Sequence, residues 1–503
     1  MYESHVSGRE AVPSPLHRIL VPVLAVLFSA FAFGAAHGAE QLGDLTGPWQ
    51  LFVDDHLVAE SSQLSRVWHA FEKHAGNPLL RADQAWEGAA VYLYGTVLPR
   101  EDGTGYRMWY HAYDGDYRML YATSDDGLAW SKPALGLTGF RGSAENNILF
   151  QLTHENHNPQ VIHTPWEGDP QRRYKMIYFE YGRTPPVSTV TGYRGAYSPD
   201  GIRWTECADN PVLVDSPGDV GNFVWDPLGK RYLGYPKKFE EVRGFRRRCV
   251  AFSSTTAFES WPESTLILTP DEYDDRLVAD ADAAGAHTDF YGLCGFAYET
   301  MYLGFLWMFP ITDGKNDGPI FVELVSSRDG AHWRRQDEPR APILPLGPAG
   351  AWDDGMVFTP NHPLVEGGTI KLYYGGFDGT HGGDANAAIG LATLRKDGFV
   401  SMRAGGQAGA LTTPLLENAA GPLRVNFAAR PDGWLRVELR DASGEVIPGY
   451  SETNCDVLTG DHTEHAVTWN GNSALPAGPV RLRFILRNAE LFAFAAGNGV
   501  TTR

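Results

Sequence analysis

Cysteine is scarce: Cys207, Cys249, Cys294 and Cys455 are the only four in 503 residues, and their spacing fits no zinc motif. At 43% hydrophobic content a chain this long builds its own cores without disulfide staples, so buried free thiols are expected. Basic charge is also short, 42 Lys and Arg against 61 Asp and Glu, for a formal net charge of −19. Nucleic acid and anionic membrane are thereby excluded as default partners, whereas an uncharged or cationic ligand is easily accommodated. There is no P-loop, no glycine-rich dinucleotide fingerprint and no G-x-S-x-G elbow, so nucleotide chemistry and serine hydrolysis have no residues to rest on.

Long apolar runs are missing too, apart from one near the N-terminus, ILVPVLAVLFSAFAFGAA from Ile19 to Ala36. Arg9 and Arg18 precede it and the small residues Gly38 and Ala39 follow it, the layout of a cleaved export signal over residues 1–39. Pro22 and the small-residue exit argue against a retained anchor. A secreted or periplasmic destination follows, with no membrane contact after cleavage.

What is abundant is aromatic residue, 12% of the chain, together with 56 Gly and 33 Pro, a composition for many short strands and tight turns. Five segments share one apolar, aromatic pattern: YRMWYHAY from Tyr106, YKMIYFEY from Tyr174, RYLGYPKK from Arg231, MYLGFLWM from Met301 and IKLYYGGF from Ile370. Each has an apolar strand upstream, and downstream a third strand, a turn and an aromatic residue, at Trp130, Trp204, Trp261, Trp333 and Phe399. These aromatic positions are 74, 57, 72 and 66 residues apart, and Asp-Gly pairs at Asp126, Asp200, Asp329 and Asp397 mark hairpins. A period of that size with four strands per repeat describes the blades of a propeller. The expectation is an all-β chain, a five-bladed β-propeller over residues 40–402. LFVDDHLV, Leu51 to Val58, is expected to close the ring on the last blade. After Met402 the alternation of LRVNFA, WLRVELRDASGEVIPGYS and VRLRFILRNAELFAFAA reads as a small C-terminal β-sandwich, residues 403–503.

A propeller offers a ligand site at one pole of its channel. Just before the first strand of successive repeats stand Glu87, Asn158 with His157, Asp219, Asp289, and Asp354 with Asp353; from Glu87 to Asn158, Asp219, Asp289 and Asp354 the steps are 71, 61, 70 and 65 residues. Acidic groups gathered at one mouth would separate their pKa values, which is what general acid–base chemistry needs. Glu87, Asp219, Asp289 and Asp354 are therefore the candidate catalytic carboxylates. His157, Asn158, Lys237, Arg247, Tyr291, Asp353 and His381 are candidate substrate contacts. Of the run Arg246 to Arg248 only one side chain is expected to point inward. Trp86, Tyr92 and Tyr94 could stack on sugar rings, although aromatics at strand spacing usually belong to a core. No cofactor is expected; a structural calcium ion held by Asp or Asn oxygens and water is compatible with such a channel.

With NPLL at Asn77 to Leu80, the five strand repeats and the SxDGxxW-like hairpins, residues 75–402 resemble the five-bladed propeller superfamily that contains glycoside hydrolase families 32, 43, 117 and 130. LFVDDHLVAE, IGLATLRKDGFVSMRAG and RLRFILRNAELFAF are similar to a group of secreted bacterial glycosyl hydrolase-like proteins. The resemblance implies hydrolysis of an oligo- or polysaccharide by paired carboxylates. In families 32 and 43 it implies acids from the first three blades; here those places hold Glu87, Asn158 and Asp219. Two carboxyls about 5 to 9 Å apart on a pocket wall would favour a hydrolase. An aromatic pocket with isolated or salt-bridged acids would favour a non-catalytic carbohydrate-binding propeller, and a ring of arginines a phosphorylase-like or sialidase-like enzyme.

Overall fold

The computed structural model describes residues 43–44, 48–113, 117–150, 156–181, 190–214, 218–417 and 421–497, all within the unit Leu42–Arg503. The expected export signal lies outside the described residues. Among those that are described, no helix is long and apolar enough to cross a membrane.

Nearly all of the regular structure is strand, and residues 90–395 form five successive antiparallel units. The first unit is Ala90–Pro99, Tyr106–Tyr113, Tyr117–Ser124 and Ile148–Phe150; the second is Asn156–His163, Tyr174–Glu180, Gly192–Ser198 and Thr205–Glu206. The third is Gly221–Asp226, Arg231–Val242, Phe245–Thr255 and Thr265–Leu268, and the fourth His287–Tyr298, Met301–Ile311, Phe321–Ser327 and Trp333–Arg334. The fifth is built on Thr369–Phe377 and Ala387–Arg395. Its first strand is broken into Met356–Phe358 and Leu364–Glu366, because Pro360 and Pro363 cannot donate to the ladder. Its outer edge is completed from the other end of the chain, by Glu72–Lys73 and Leu80–Arg81 pairing with Ala387–Arg395.

One turn is used three times, and its chemistry is local. In SxDG at Ser124, Ser198 and Ser327 the Asp carboxylate accepts two backbone N–H groups, Asp126 from Leu128 and Ala129, Asp200 from Ile202 and Arg203, and Asp329 from Ala331 and His332. The following glycines have φ of 77, 78 and 79°, which only glycine adopts without strain. Each of these turns also receives a bond from the unit before it. Trp109 Nε1 donates to Gly201 O at 2.7 Å, Tyr235 OH to Gly330 O at 2.9 Å, and Tyr373 OH, in the fifth unit, to Gly127 O in the first at 2.9 Å. A Cβ on Gly201 would lie 2.7 Å from Trp109 Cζ2. Gly201→Ala is therefore expected to cost about 1–3 kcal/mol, read as a lower urea midpoint; an unchanged midpoint would show that turn and tryptophan relax together.

Beyond the fifth unit the chain forms one eight-stranded sheet, with the long strands Leu423–Arg440 and Arg481–Ala496 at its centre. Its core is separate, built on Phe427, Val437, Leu482, Phe484 and Phe494. The N-terminal strands Gln50–Leu51, Glu60–Ser62 and Ser65–Trp68 join this sheet. That corrects the expectation for Leu51 to Val58: Gln50 and Leu51 pair with Phe494 and Ala493, and the last unit is closed some twenty residues later. The expected strand itself stops at Leu51, because Asp54 accepts from His56 N and caps a short 3-10 helix, Asp55–Leu57. All four cysteines are free and buried; burial pushes the Cys207 thiol up to about 11 and Cys249 to about 12.

Candidate functional site

The first strands of the units share a direction, so their starts gather at one end. A cavity of about 590 Å³ opens there. Its walls are Tyr92 and Tyr94 from the first unit, Tyr291 from the fourth, and Phe358 and Phe377 from the fifth, with Tyr113 and Tyr117 at the first unit's hairpin. Bulges aim these rings: the ladder register shifts between Tyr92 and Thr96, and again between Phe290 and Gly292 around Tyr291. Gly95 permits the first bulge, since a Cβ there would sit 2.0 Å from the Trp109 carbonyl oxygen. The rings brace one another edge to face, Tyr92 to Tyr94 at 5.1 Å and Tyr94 to Phe358 at 4.8 Å, while Trp307 stacks behind Tyr94 at 5.5 Å.

Among the four candidate carboxylates, Asp219 alone lines this cavity. It stands just before Gly221–Asp226, partly exposed, and is ion-paired with the buried Lys237. Gly218 makes room, because a Cβ there would meet Lys237 Cε at 2.7 Å. Burial lowers the Lys237 pKa, with the Asp219 charge opposing that shift and Arg248 adding to it. The ammonium lies 5.1 Å from the centre of the Tyr291 ring.

His381 stands on the cavity wall with Nδ1 3.0 Å from Asn316 O and Nε2 3.1 Å from Tyr291 OH. A carbonyl only accepts, so Nδ1 carries the proton and Nε2 offers its lone pair to the phenol. Burial holds the His381 pKa below 6.5, assisted by Arg248 and Lys237 and opposed by the Asn316 carbonyl and Asp219. For a base whose folded pKa is depressed, the stability it contributes is complete above the unfolded value and is lost as pH falls through the folded one. The urea midpoint should therefore drop on going from pH 7 to pH 5, and drop less in His381→Gln; equal slopes in the two proteins would remove His381 from that account.

The remaining candidates are placed elsewhere. Glu87 is fully buried behind the cavity wall, accepting from Asp83 N and Gln84 N, from Tyr110 OH at 2.8 Å and from Lys132 Nζ at 2.7 Å. Asp289 is buried and paired with Arg248 at 2.8 Å, with His287 3.3 Å away. Asp353 is held by Lys73 at 2.6 Å and Tyr374 OH at 2.8 Å, and Asp354 accepts from Gly350 N within its own loop. Asn158, at φ 55°, donates to Gly221 O at 2.6 Å and clamps the second unit to the third. Arg247 is buried against Asp275 and the Thr288 carbonyl. Its neighbour Arg248 is the one that leans toward the cavity, 5.8 Å from the Tyr291 ring. The His157 side chain lies outside the described residues. Trp86 donates to Asn147 Oδ1 and packs on Phe140, outside the cavity. Polar residues recurring at strand starts thus do two jobs, and most of them fasten neighbouring segments. Sequence reasoning missed Asp384 and Asn386, on the cavity rim in the loop after YYGGF; the Gly- and Asp-rich run DGTHGGDAN is the signal that marks that loop.

Fold and site together define a nearly all-β protein with an aromatic cavity at the convergent ends of five antiparallel units, served by an ion-paired aspartate and a neutral histidine. No protein-family model and no curated protein matches the chain. Solved structures that match the chain include glycoside hydrolase-fold proteins. The matches also include an N-acetylgalactosamine deacetylase from F. plautii in complex with blood group B trisaccharide, at 14% identity and TM-score 0.42 over 67% of this chain and 97% of that one. A glycosyl hydrolase from Bacteroides ovatus matches at 13% and 0.41 over 65% and 94%, and a fructofuranosidase from Schwanniomyces occidentalis complexed with fructose at 9% and 0.39 over 83% and 97%. Identities this low give no residue-by-residue correspondence.

Proposed function

We propose that this is an exported glycoside hydrolase that acts on an oligo- or polysaccharide in the aromatic cavity, with Asp219 as the carboxylate that handles the proton. The five units are read as blades of one propeller, and residues 403–503 as a C-terminal sandwich completed by the N-terminal strands between Gln50 and Trp68. The propeller is supported by the turn bonds running from first unit to second, third to fourth and fifth back to first. No cofactor is invoked. The observation that carries the functional reading is Asp219 itself: a carboxylate at the wall of a concave, largely aromatic site that it shares with His381, ion-paired with Lys237. Sugar rings stack on such walls, while hydrolysis requires one group to protonate the leaving oxygen and another to activate water or attack. Asp219 supplies the first function when protonated or the second when ionised. The rim carboxylate of Asp384 is the complementary group, with His381 Nε2 available once it exchanges the Tyr291 hydroxyl for a ligand or water.

A second reading, a non-catalytic carbohydrate-binding propeller, is favoured by the ion pairs of Asp219 with Lys237 and Asp289 with Arg248. Both carboxylates are spoken for before any ligand arrives. Screening the full chain against plant and algal oligosaccharides, with binding and product release followed in parallel, separates the two. Release of shortened sugars establishes the enzyme; saturable binding with no product across the panel establishes the binding module.

A further inference from the structure

We propose that the opposite ends of the same inner strands hold a second sugar site, a subsite for one ring of a neutral polysaccharide. The inference rests on the carbohydrate reading of the first cavity. A separate cavity of about 390 Å³ lies where the inner strands finish, lined among others by Pro99, His163, Trp225, Tyr298 and Asn361, one from each unit in turn. Its position follows from the strand direction: Tyr92 begins and Pro99 ends the strand Ala90–Pro99, and the two residues line different cavities.

Three features define the ligand. First, none of the lining residues is a lysine, arginine, aspartate or glutamate, so an ionic ligand would have no counter-charge. Second, the cavity offers acceptors that lack donors. Asn361 is 1% exposed; its Nδ2 faces the carbonyls of Val161 and Phe223 at 3.4 and 3.3 Å, while its Oδ1 has no hydrogen-bond partner among the described residues. His362 Nδ1 lies 3.1 Å from Pro363 O, so it carries the proton and Nε2 is left to accept. A buried acceptor without a donor calls for a hydroxyl or amide N–H from a ligand. Third, the mouth carries an aromatic platform: Trp166 is 58% exposed, and its ring is 5.2 Å from that of Trp225, which lines the cavity. A large indole left in water beside a second indole is a surface for stacking. A neutral, hydroxyl-rich ring with an apolar face satisfies all three.

The test is affinity electrophoresis of the full chain through gels containing a neutral glucan, a neutral mannan, a neutral galactan or a sulfated galactan. Wild-type protein is compared with Trp166→Ala, an exposed position that folding tolerates, and with Tyr291→Ala in the first cavity. At least one neutral polymer should retard the wild type, and Trp166→Ala should weaken that retardation by about tenfold in apparent Kd. Turnover or binding of a short oligosaccharide in the first cavity should be unaffected by Trp166→Ala. Equal retardation of Trp166→Ala and wild type, with loss confined to Tyr291→Ala, would overturn the second site and leave the first standing. Retardation by the sulfated polymer alone, or by none of the four, would overturn the proposal as well.

Discussion

Asp219→Asn is expected to lose about 10²–10⁴-fold in kcat on any oligosaccharide that the wild-type protein turns over, with KM changed far less. The substitution keeps the size of the side chain and removes its ability to give or take a proton. Ground-state binding is left to the tyrosine and phenylalanine walls, which the change does not touch. A cost must be separated from this effect, because Lys237 is buried and loses its partner. Burial already lowers its pKa, so without the Asp219 charge the ammonium gives up its proton more readily. Urea midpoints of Asp219→Asn and of Asp219→Asn with Lys237→Met therefore accompany the kinetics. If the paired variant regains stability and stays inactive, the missing proton is the cause. Wild-type turnover in a folded Asp219→Asn protein would sink the assignment.

At Glu87 the expectation is the reverse: a large loss of stability and little change in chemistry. Glu87→Leu should cost about 3–5 kcal/mol, since it removes the buried partner of Lys132 and leaves that nearly enclosed ammonium to the exposed Asp83 carboxylate and the Arg81 carbonyl. The Tyr110 hydroxyl and two backbone N–H groups lose their acceptor as well. Glu87→Gln keeps one oxygen acceptor and should fall between. Activity per folded molecule should match wild type in both, measured below the onset of the unfolding transition. A stable but inactive Glu87→Gln would show that this carboxylate reaches the substrate after all.

Much of the fold was legible because its signals are local. The period of the aromatic strands, the SxDG turns and the switch of pattern after Met402 each depend on a few neighbouring residues, and the structure builds antiparallel units where those patterns stand. The site was legible only in part. Spacing put Glu87, Asp219, Asp289 and Asp354 at equivalent places, yet a strand start can turn a side chain into a cavity, into a neighbouring segment or along its own loop. Glu87 meets Lys132 from 45 residues away, Asp353 meets Lys73 from 280 away, and Arg248 rather than Arg247 leans toward the cavity because Asp275 has already claimed Arg247. None of these partners is visible in a repeat.

Tyr92, Tyr94 and Tyr291 show the same division. Their pattern alone says only that they are aromatic and sit on strands, and most such residues end in a core. Bulges at Tyr92 to Thr96 and around Tyr291 lift them out of the regular pleat and into the cavity.

By itself the sequence determined the strands, their turns and the count of repeats, because hydrophobic alternation and Asp-Gly turn chemistry act over a handful of residues. Only the tertiary structure decided which of the recurring carboxylates lines the cavity, which arginine lies near its wall and which segment closes the fifth unit. Those outcomes depend on charges and ladder edges brought together from distant parts of the chain, where burial makes most polar groups find a partner and leaves few turned toward the cavity.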